Sequence, residues 1–216
     1  MHFEEINMKG LIIAVPNKGR LQDPTLGLLD RTGIKRIDDD RVYLANTTKE
    51  GIQVLLVRAT DIPAYVYNGI ADLGITGRDV IAETGLEVYE LADLGFGACE
   101  LVVAVKKDSP YTKPTDLPQG SKIATEFPNL TRRYFNDKGV QIEIIMLRGA
   151  VEIAPILGLV EGIVDLSSTG RTLEKNGLKP IGEVLSSTAR LICNKVSYKT
   201  KYDVIERIVD GIRGCL

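Results

Sequence analysis

Short apolar runs rich in Val, Ile and Leu alternate with amphipathic stretches along nearly the whole chain. The alternation predicts an α/β protein with largely parallel sheets. Leu11 to Val15 has the pattern of a buried strand, Asn17 to Arg20 that of the loop after it, Asp23 and Pro24 mark a helix start, and Gly33 marks its end. Strands are expected at 42–45 and 52–57, a helix from Asp61 to Gly69, and a strand at 72–75 that enters the turn Thr76 to Asp79. The stretch Asp93 to Gly97 breaks the pattern, and the apolar run Leu101 to Val105 opens a second series, which makes this the first candidate domain boundary. Further strands are expected at 122–124, 142–146 and 162–166, and helices at 129–138, 151–157 and 172–176. Strands at 181–185 and 190–193 and an amphipathic helix at 200–212 follow, and 109–120 is the longest expected loop.

Three constellations on this framework can carry chemistry. In Gly162 to Leu173 an apolar strand delivers Asp165 to its end, and the small residues Ser167, Ser168, Thr169 and Gly170 open a helix at Arg171 and Thr172. Backbone N–H groups and hydroxyls in such a loop can converge on a phosphate. The same composition also suits an ordinary helix capped by Ser168 or Thr169. A basic set, Lys18, Arg20, Arg58 and Arg78, falls in loops expected at strand ends, the edge where open α/β sheets bind ligands. Each of these cations also suits a solvated loop. An acidic set comprises Asp79, Glu152 and Asp165, with Glu126 and Glu161 as further candidates. Such carboxylates can hold ribose hydroxyls, accept a proton or hold Mg²⁺ through water, and Glu152 can equally favour the positive end of a helix.

Composition narrows the chemistry. The 216 residues are enough for one large domain or two small ones, and 44% hydrophobic content is that of a soluble globular protein. The only histidine is His2, so a Ser-His-Asp triad, a Cys-His pair and a histidine-rich zinc site lack their central group. Lys+Arg 27 against Asp+Glu 29 leaves a net charge of −2, which gives no global attraction to nucleic acid or to an anionic membrane. Cys99, Cys193 and Cys215 are far apart and form no metal spacing, so inert thiols in a reducing compartment are expected. The first fifteen residues carry two glutamates and a short apolar run, without the pattern of a signal peptide or a membrane span. A cytoplasmic location is the expectation. The chain contains no P-loop, GxGxxG fingerprint or GxSxG elbow.

Several motifs, in order, resemble those of the catalytic subunit of ATP phosphoribosyltransferase, short form. They are Ala14 to Leu21 (AVPNKGRL), Val57 to Pro63 (VRATDIP), Gly74 to Asp79 (GITGRD), Leu94 to Gly97 (LGFG), Ala124 to Leu130 (ATEFPNL), Gly149 to Glu152 (GAVE) and the Asp165 to Leu173 loop. The resemblance implies two α/β lobes like type II periplasmic binding proteins, with the active site in the interlobe cleft. The first lobe would comprise 1–95 plus 183–216, and the second 96–182. The implied reaction joins phosphoribosyl diphosphate to N1 of ATP and releases diphosphate, as the first step of histidine biosynthesis. By the same resemblance, Thr169, Gly170, Arg171 and Thr172, with Ser168, would bind the 5′-phosphate, and Asp165 and Glu152 would hold ribose hydroxyls. Lys18, Arg20 and Arg58 would neutralise the leaving diphosphate, Asp79 would contact the nucleotide, and Mg²⁺ would arrive with the diphosphate. It also implies a homodimer and a larger complex with a regulatory subunit resembling histidyl-tRNA synthetase. A protein of the same two-lobed shape that binds a phosphate ligand without chemistry is the alternative.

Overall fold

A computed structural model describes residues 10–38 and 42–216. Met1, His2, Met8 and Asp39–Asp40 lie outside the described residues. In chain order the first elements are β1 (Leu11–Pro16), α1 (Gln22–Arg31), β2 (Leu44–Asn46), β3 (Ile52–Val57), α2 (Ile62–Tyr67), β4 (Leu73–Gly77), α3 (Arg78–Thr84) and β5 (Tyr89–Asp93). Next come β6 (Cys99–Lys106), β7 (Ser121–Thr125), α4 (Pro128–Asp137), β8 (Ile142–Met146), β9 (Gly162–Ser167), α5 (Arg171–Lys175) and β10 (Leu178–Ser187). The chain ends with β11 (Ala189–Cys193), α6 (Lys195–Thr200) and α7 (Tyr202–Arg213).

The chain divides into two compact units, Met1–Gly97 with Thr188–Leu216, and Ala98–Ser187. The resemblance puts the return to the first unit at 183. In the structure β10 stays paired with β6 as far as Ser187, opposite Cys99, so the return comes later.

Among the described residues, unit 1 holds a six-stranded sheet in the order β2-β3-β1-β4-β11-β5. The side chains of β1 alternate between its two faces, as a strand requires. Leu11, Ile13 and Val15 join a core with Leu28 and Leu29 of α1 and Ile205, Val209 and Ile212 of α7. Ala14 joins a second core with Ile62 and Val66 of α2, Ile81 of α3 and Ile192 of β11. Both faces of the sheet are therefore covered. Unit 2 holds a five-stranded sheet in the order β10-β6-β9-β7-β8. Ala104, Ala124 and Ile163 on its strands pack with Val151, Val160 and Leu173.

Pairing is mixed, which corrects the expectation of largely parallel sheets. The strands β3-β1-β4 run parallel, as do β8-β7-β9. The strands next to the two passages between the units, β5, β6, β10 and β11, pair antiparallel. Alternation of strands and helices reveals βαβ units but not the direction of a strand that returns from a distant part of the chain.

Three local expectations also change. The helix expected at 151–157 is a single 3-10 turn, Val151–Ile153, followed by turns. Pro155 has no N–H for a continuing helix, and Gly158 ends the segment at φ 75°. The terminal helix expected at 200–212 is present as α7 (Tyr202–Arg213), and a short helix that the sequence does not signal, α6 (Lys195–Thr200), precedes it. Asn194 caps α6 by accepting from the N–H groups of Val196 and Ser197. Lys201, between α6 and α7, donates to the Gly10 carbonyl and to both oxygens of buried Asp72. Strand β5 was not signalled, because Tyr-Glu-Leu-Ala-Asp lacks a β-branched run and lies at the sheet edge.

Candidate active site

In unit 1 the strands β1, β3 and β4 are parallel, so the loops after them open on one edge of the sheet. That edge carries Lys18 and Arg20 after β1, Arg58 after β3, and Arg78 and Asp79 after β4. Lys18, Arg20, Arg58 and Arg78 are exposed. The heads of Lys18 and Arg58 have no hydrogen bond or ion pair to a described residue. Cations left uncommitted at such an edge are available to an anion.

Arg20 is held in place. Its Nε donates to the Gly97 carbonyl at 3.3 Å, and its Nη2 lies 3.7 Å from Asp79 Oδ1. Asp79, expected to contact a nucleotide, is only 2% exposed and sits in the first turn of α3. Its carboxylate lies against Gly77, where a Cβ would overlap Asp79 Oδ1. The structure therefore gives Asp79 a place beside Arg20, in a pocket only glycine leaves open. Gly97 is similar: φ is 66°, and a Cβ there would overlap Leu21 Cδ2, next to Arg20. Gly97→Ala is expected to lower stability by about 1–3 kcal/mol, through left-handed strain and displacement of Leu21. Urea unfolding checks this, and an unchanged midpoint would contradict it.

In unit 2 the parallel strands β7, β8 and β9 likewise open on one edge. There lie Glu126 after β7, Glu152 in the turn after β8, and Asp165 to Thr172 at the end of β9 and the start of α5. Glu161 belongs to the opposite end. It precedes β9 and its Oε2 accepts from the Lys122 N–H at 2.6 Å, which gives it a structural role. Glu152 follows Gly149 (φ 107°) and Ala150 (φ 48°), the only non-glycine residue with positive φ among the described residues. A left-handed alanine is held against a local strain cost, and such strain gathers at functional loops.

Asp165 is the most perturbed acid of this edge. Burial pushes its carboxyl up to about 6, with the negative charges of Glu152 and Glu126 adding to the effect and the Leu166 N–H, donating to Oδ1 at 2.7 Å, opposing it. Glu126, Glu152 and Asp165 all lie at this edge. No set of three His, Cys, Asp or Glu among the described residues is placed to hold a metal ion by itself.

The loop after β9 differs from an ordinary capped helix. The residue capping α5 is Gly170, at φ 71°, and neither Ser168 nor Thr169 caps the helix. Ser167 Oγ instead accepts from the Gly170 N–H at 3.0 Å, and Ser168, Thr169, Arg171 and Thr172 stay exposed. A residue with a Cβ resists the left-handed φ at position 170.

Four contributors have roles that the sequence does not assign. Ser167 shapes the loop. Thr125 Oγ1 accepts from the Phe127 N–H at 2.9 Å and so forms the turn that presents Glu126. Thr76 Oγ1 donates to the Ala59 carbonyl at 2.8 Å, linking the end of β4 to the loop after β3. Asn17 lines a pocket of about 680 Å³ with Gln22, Asp23, Arg36 and Tyr43, and its buried Oδ1 has no partner among the described residues. A short polar residue at or just past the C-terminal end of a strand is the available signal in each case.

Two α/β units, each presenting polar loops at the C-terminal edge of its parallel strands, define a protein of the periplasmic-binding-protein fold class. The aliphatic sulphonate binding protein SsuA of Escherichia coli superposes over 96% of this chain and 68% of its own with a TM-score of 0.62 at 14% identity. That likeness shows the fold alone. Residues 58–214 match the ATP phosphoribosyltransferase (HisG) family. The ATP phosphoribosyltransferase of Methanopyrus kandleri is 49% identical over 95% of this chain and 72% of its own length, and that of Halothermothrix orenii is 43% identical over 95% and 94%. A chain of the ATP phosphoribosyl transferase (HisG:HisZ) complex from Thermotoga maritima is 33% identical, with a TM-score of 0.85 over 95% of this chain and 98% of that one. The chain belongs to the ATP phosphoribosyltransferase family, the pentosyltransferases of the first step of histidine biosynthesis.

Proposed function

We propose that this chain transfers phosphoribosyl from phosphoribosyl diphosphate to N1 of ATP and releases diphosphate. The family match carries the reaction. The roles rest on the two opened edges, one carrying the cations Lys18, Arg20 and Arg58 and the other hydroxyls and acids.

In unit 2, Ser168, Thr169, Gly170, Arg171 and Thr172 hold the 5′-phosphate. The exposed hydroxyls and the Arg171 head are available to it, and the first N–H groups of α5 have no acceptor within the helix. Asp165 and Glu152 accept hydrogen bonds from the ribose hydroxyls. In unit 1, Lys18, Arg20 and Arg58 contact the departing diphosphate. Asp79 fixes the Arg20 guanidinium, which places it one step from the nucleotide contact that the resemblance implies. Adenine N1 is already a nucleophile, so the demanding step is separation of diphosphate from an electron-poor sugar carbon. Groups that bind the leaving group more tightly as its charge grows lower that barrier directly.

Glu126, Glu152 and Asp165, on one edge of unit 2, would hold through water an Mg²⁺ that arrives with the diphosphate. When bound, the ion offsets charge on the diphosphate. Among the described residues no helix is long and apolar enough to cross a membrane, and a cytoplasmic location is part of the proposal. A homodimer that joins a regulatory subunit resembling histidyl-tRNA synthetase completes the proposal. Its support is the Thermotoga maritima relative, solved as a HisG:HisZ complex.

Mixing the protein with ATP, Mg²⁺ and phosphoribosyl diphosphate is expected to release diphosphate and to give the absorbance of phosphoribosyl-ATP. Binding of both substrates without product, even with a regulatory subunit present, would favour the non-catalytic alternative. If the partner supplies the histidine site, the chain alone is active and insensitive to histidine; strong inhibition of the chain alone would overturn that assignment.

A further inference from the structure

The chain leaves unit 1 after Gly97 and returns to it at Thr188, and both connecting segments are tied to one side chain. Asp93 Oδ1 accepts from Thr188 Oγ1 at 2.7 Å and from the Gly95 N–H at 3.0 Å. Its Oδ2 lies 2.9 Å from Arg190 Nη2. The backbone follows the same course: the Leu94 N–H donates to the Ala189 carbonyl and the Ala189 N–H to the Phe96 carbonyl, both at 2.9 Å. Beyond this clamp the two segments hold the ends of the cationic loops. The Gly97 carbonyl takes Arg20 Nε, and the Thr188 carbonyl takes the Arg78 N–H at 3.0 Å, one residue before Asp79. Arg20 and Asp79 are thus fixed from both segments and then paired with each other.

We propose that Asp93 is a positioning residue: by clamping the leaving segment at Gly95 to the returning segment at Thr188, it sets the register of Arg20 and Asp79 for the departing diphosphate. The inference rests on the leaving-group role proposed for Arg20. The Thr188 hydrogen bond, with Gly95, Arg190 and Arg78 adding, holds the Asp93 carboxyl below the usual carboxylate range, so the clamp is charged throughout the neutral range. The Asp93 side chain remains 46% exposed, so its bonds contribute modestly to stability while fixing direction. Orientation is a sensitive quantity, because a small misplacement of a group acting in the transition state lowers the rate much more than it lowers binding.

The test measures kcat, KM for both substrates and melting temperature for Asp93→Ala, Thr188→Val, Thr188→Ser and the Asp93→Ala/Thr188→Val double variant, beside Arg20→Ala. The expected result is kcat about tenfold lower for Asp93→Ala and for Thr188→Val, with each KM changed less than about twofold. Thr188→Ser keeps the hydroxyl and is expected to stay near the parent rate. The double variant is expected to lose about tenfold rather than a hundredfold, because both changes open the same clamp. Asp93 and Thr188 variants at the parent kcat, with Arg20→Ala impaired, would overturn the clamp and leave the Arg20 role standing. Arg20→Ala at the parent kcat would overturn the Arg20 role itself. If Asp93→Ala fails to fold, the Thr188 pair decides: equal losses in Val and Ser overturn the proposal, and loss in Val alone supports it.

Discussion

Arg58→Ala is expected to lower kcat by about a hundredfold to a thousandfold, the scale of losing one charge-stabilising contact in a transition state, while the melting temperature stays within about 2 °C of the parent. The separation of the two effects follows from the position of Arg58. It is exposed after β3 and its guanidinium has no hydrogen bond or ion pair to a described residue, so truncation breaks nothing that holds the fold. An uncommitted guanidinium at the edge of parallel strands has its full charge and fork available to phosphate oxygens. Arg58→Lys keeps the charge and loses the fork, so a loss between those of the parent and the alanine variant is expected. Steady-state kinetics beside thermal unfolding settles it: parent-like kcat in folded Arg58→Ala would exclude the leaving-group role.

The second large effect has opposite signs for stability and activity. Asp165→Asn is expected to reduce kcat/KM for phosphoribosyl diphosphate by about tenfold to a hundredfold, since an amide is a weaker partner for ribose hydroxyls than a carboxylate. The same change is expected to stabilise the free protein near pH 7.5. The folded-state value of about 6 lies above the ordinary 3.8, so the folded protein holds the Asp165 proton more tightly than the unfolded chain does. That contribution is fully present below about pH 4 and is lost as pH rises through about 6. A shift of about two units corresponds to about 3 kcal/mol at most, and partial exposure of Asp165 lowers it. The melting-temperature difference, variant minus parent, is therefore expected to be near zero at pH 4 and to grow to several degrees at pH 7.5. A difference independent of pH would show that Asp165 is not the group lost. In the parent, kcat/KM is expected to fall as pH drops through about 6, when Asp165 in the free enzyme takes up its proton.

Asp165 also shows where the sequence becomes insufficient. Its place at the end of an apolar strand, before small residues and an arginine, is written in the local order of residues. Its raised proton affinity is not, because it depends on burial and on Glu126 and Glu152, which reach the same edge from strands far apart in the chain. Asp79 makes the same point. Its motif marks it as a site residue, yet only packing reveals that it lies against Gly77 and braces Arg20. Conversely, Glu161 and Glu152 look alike as acids near a strand, and the direction of β9 puts them at opposite ends of the sheet.

By itself the sequence determined what short-range physics controls. Strand-loop-helix units follow from apolar periodicity and Gly and Pro punctuation, the absence of an imidazole beyond His2 sets the available chemistry, and the ordered motifs mark the family. Tertiary structure alone decided the antiparallel pairing beside the passages between units, the anchoring of Lys201 to Asp72 between α6 and α7, and the tying of Gly95, Thr188 and Arg190 to Asp93. The physical reason is one of range. A propensity or a cap acts within a turn or two of the chain, whereas pairing direction, burial and the field at a carboxylate exist only once distant segments occupy the same place.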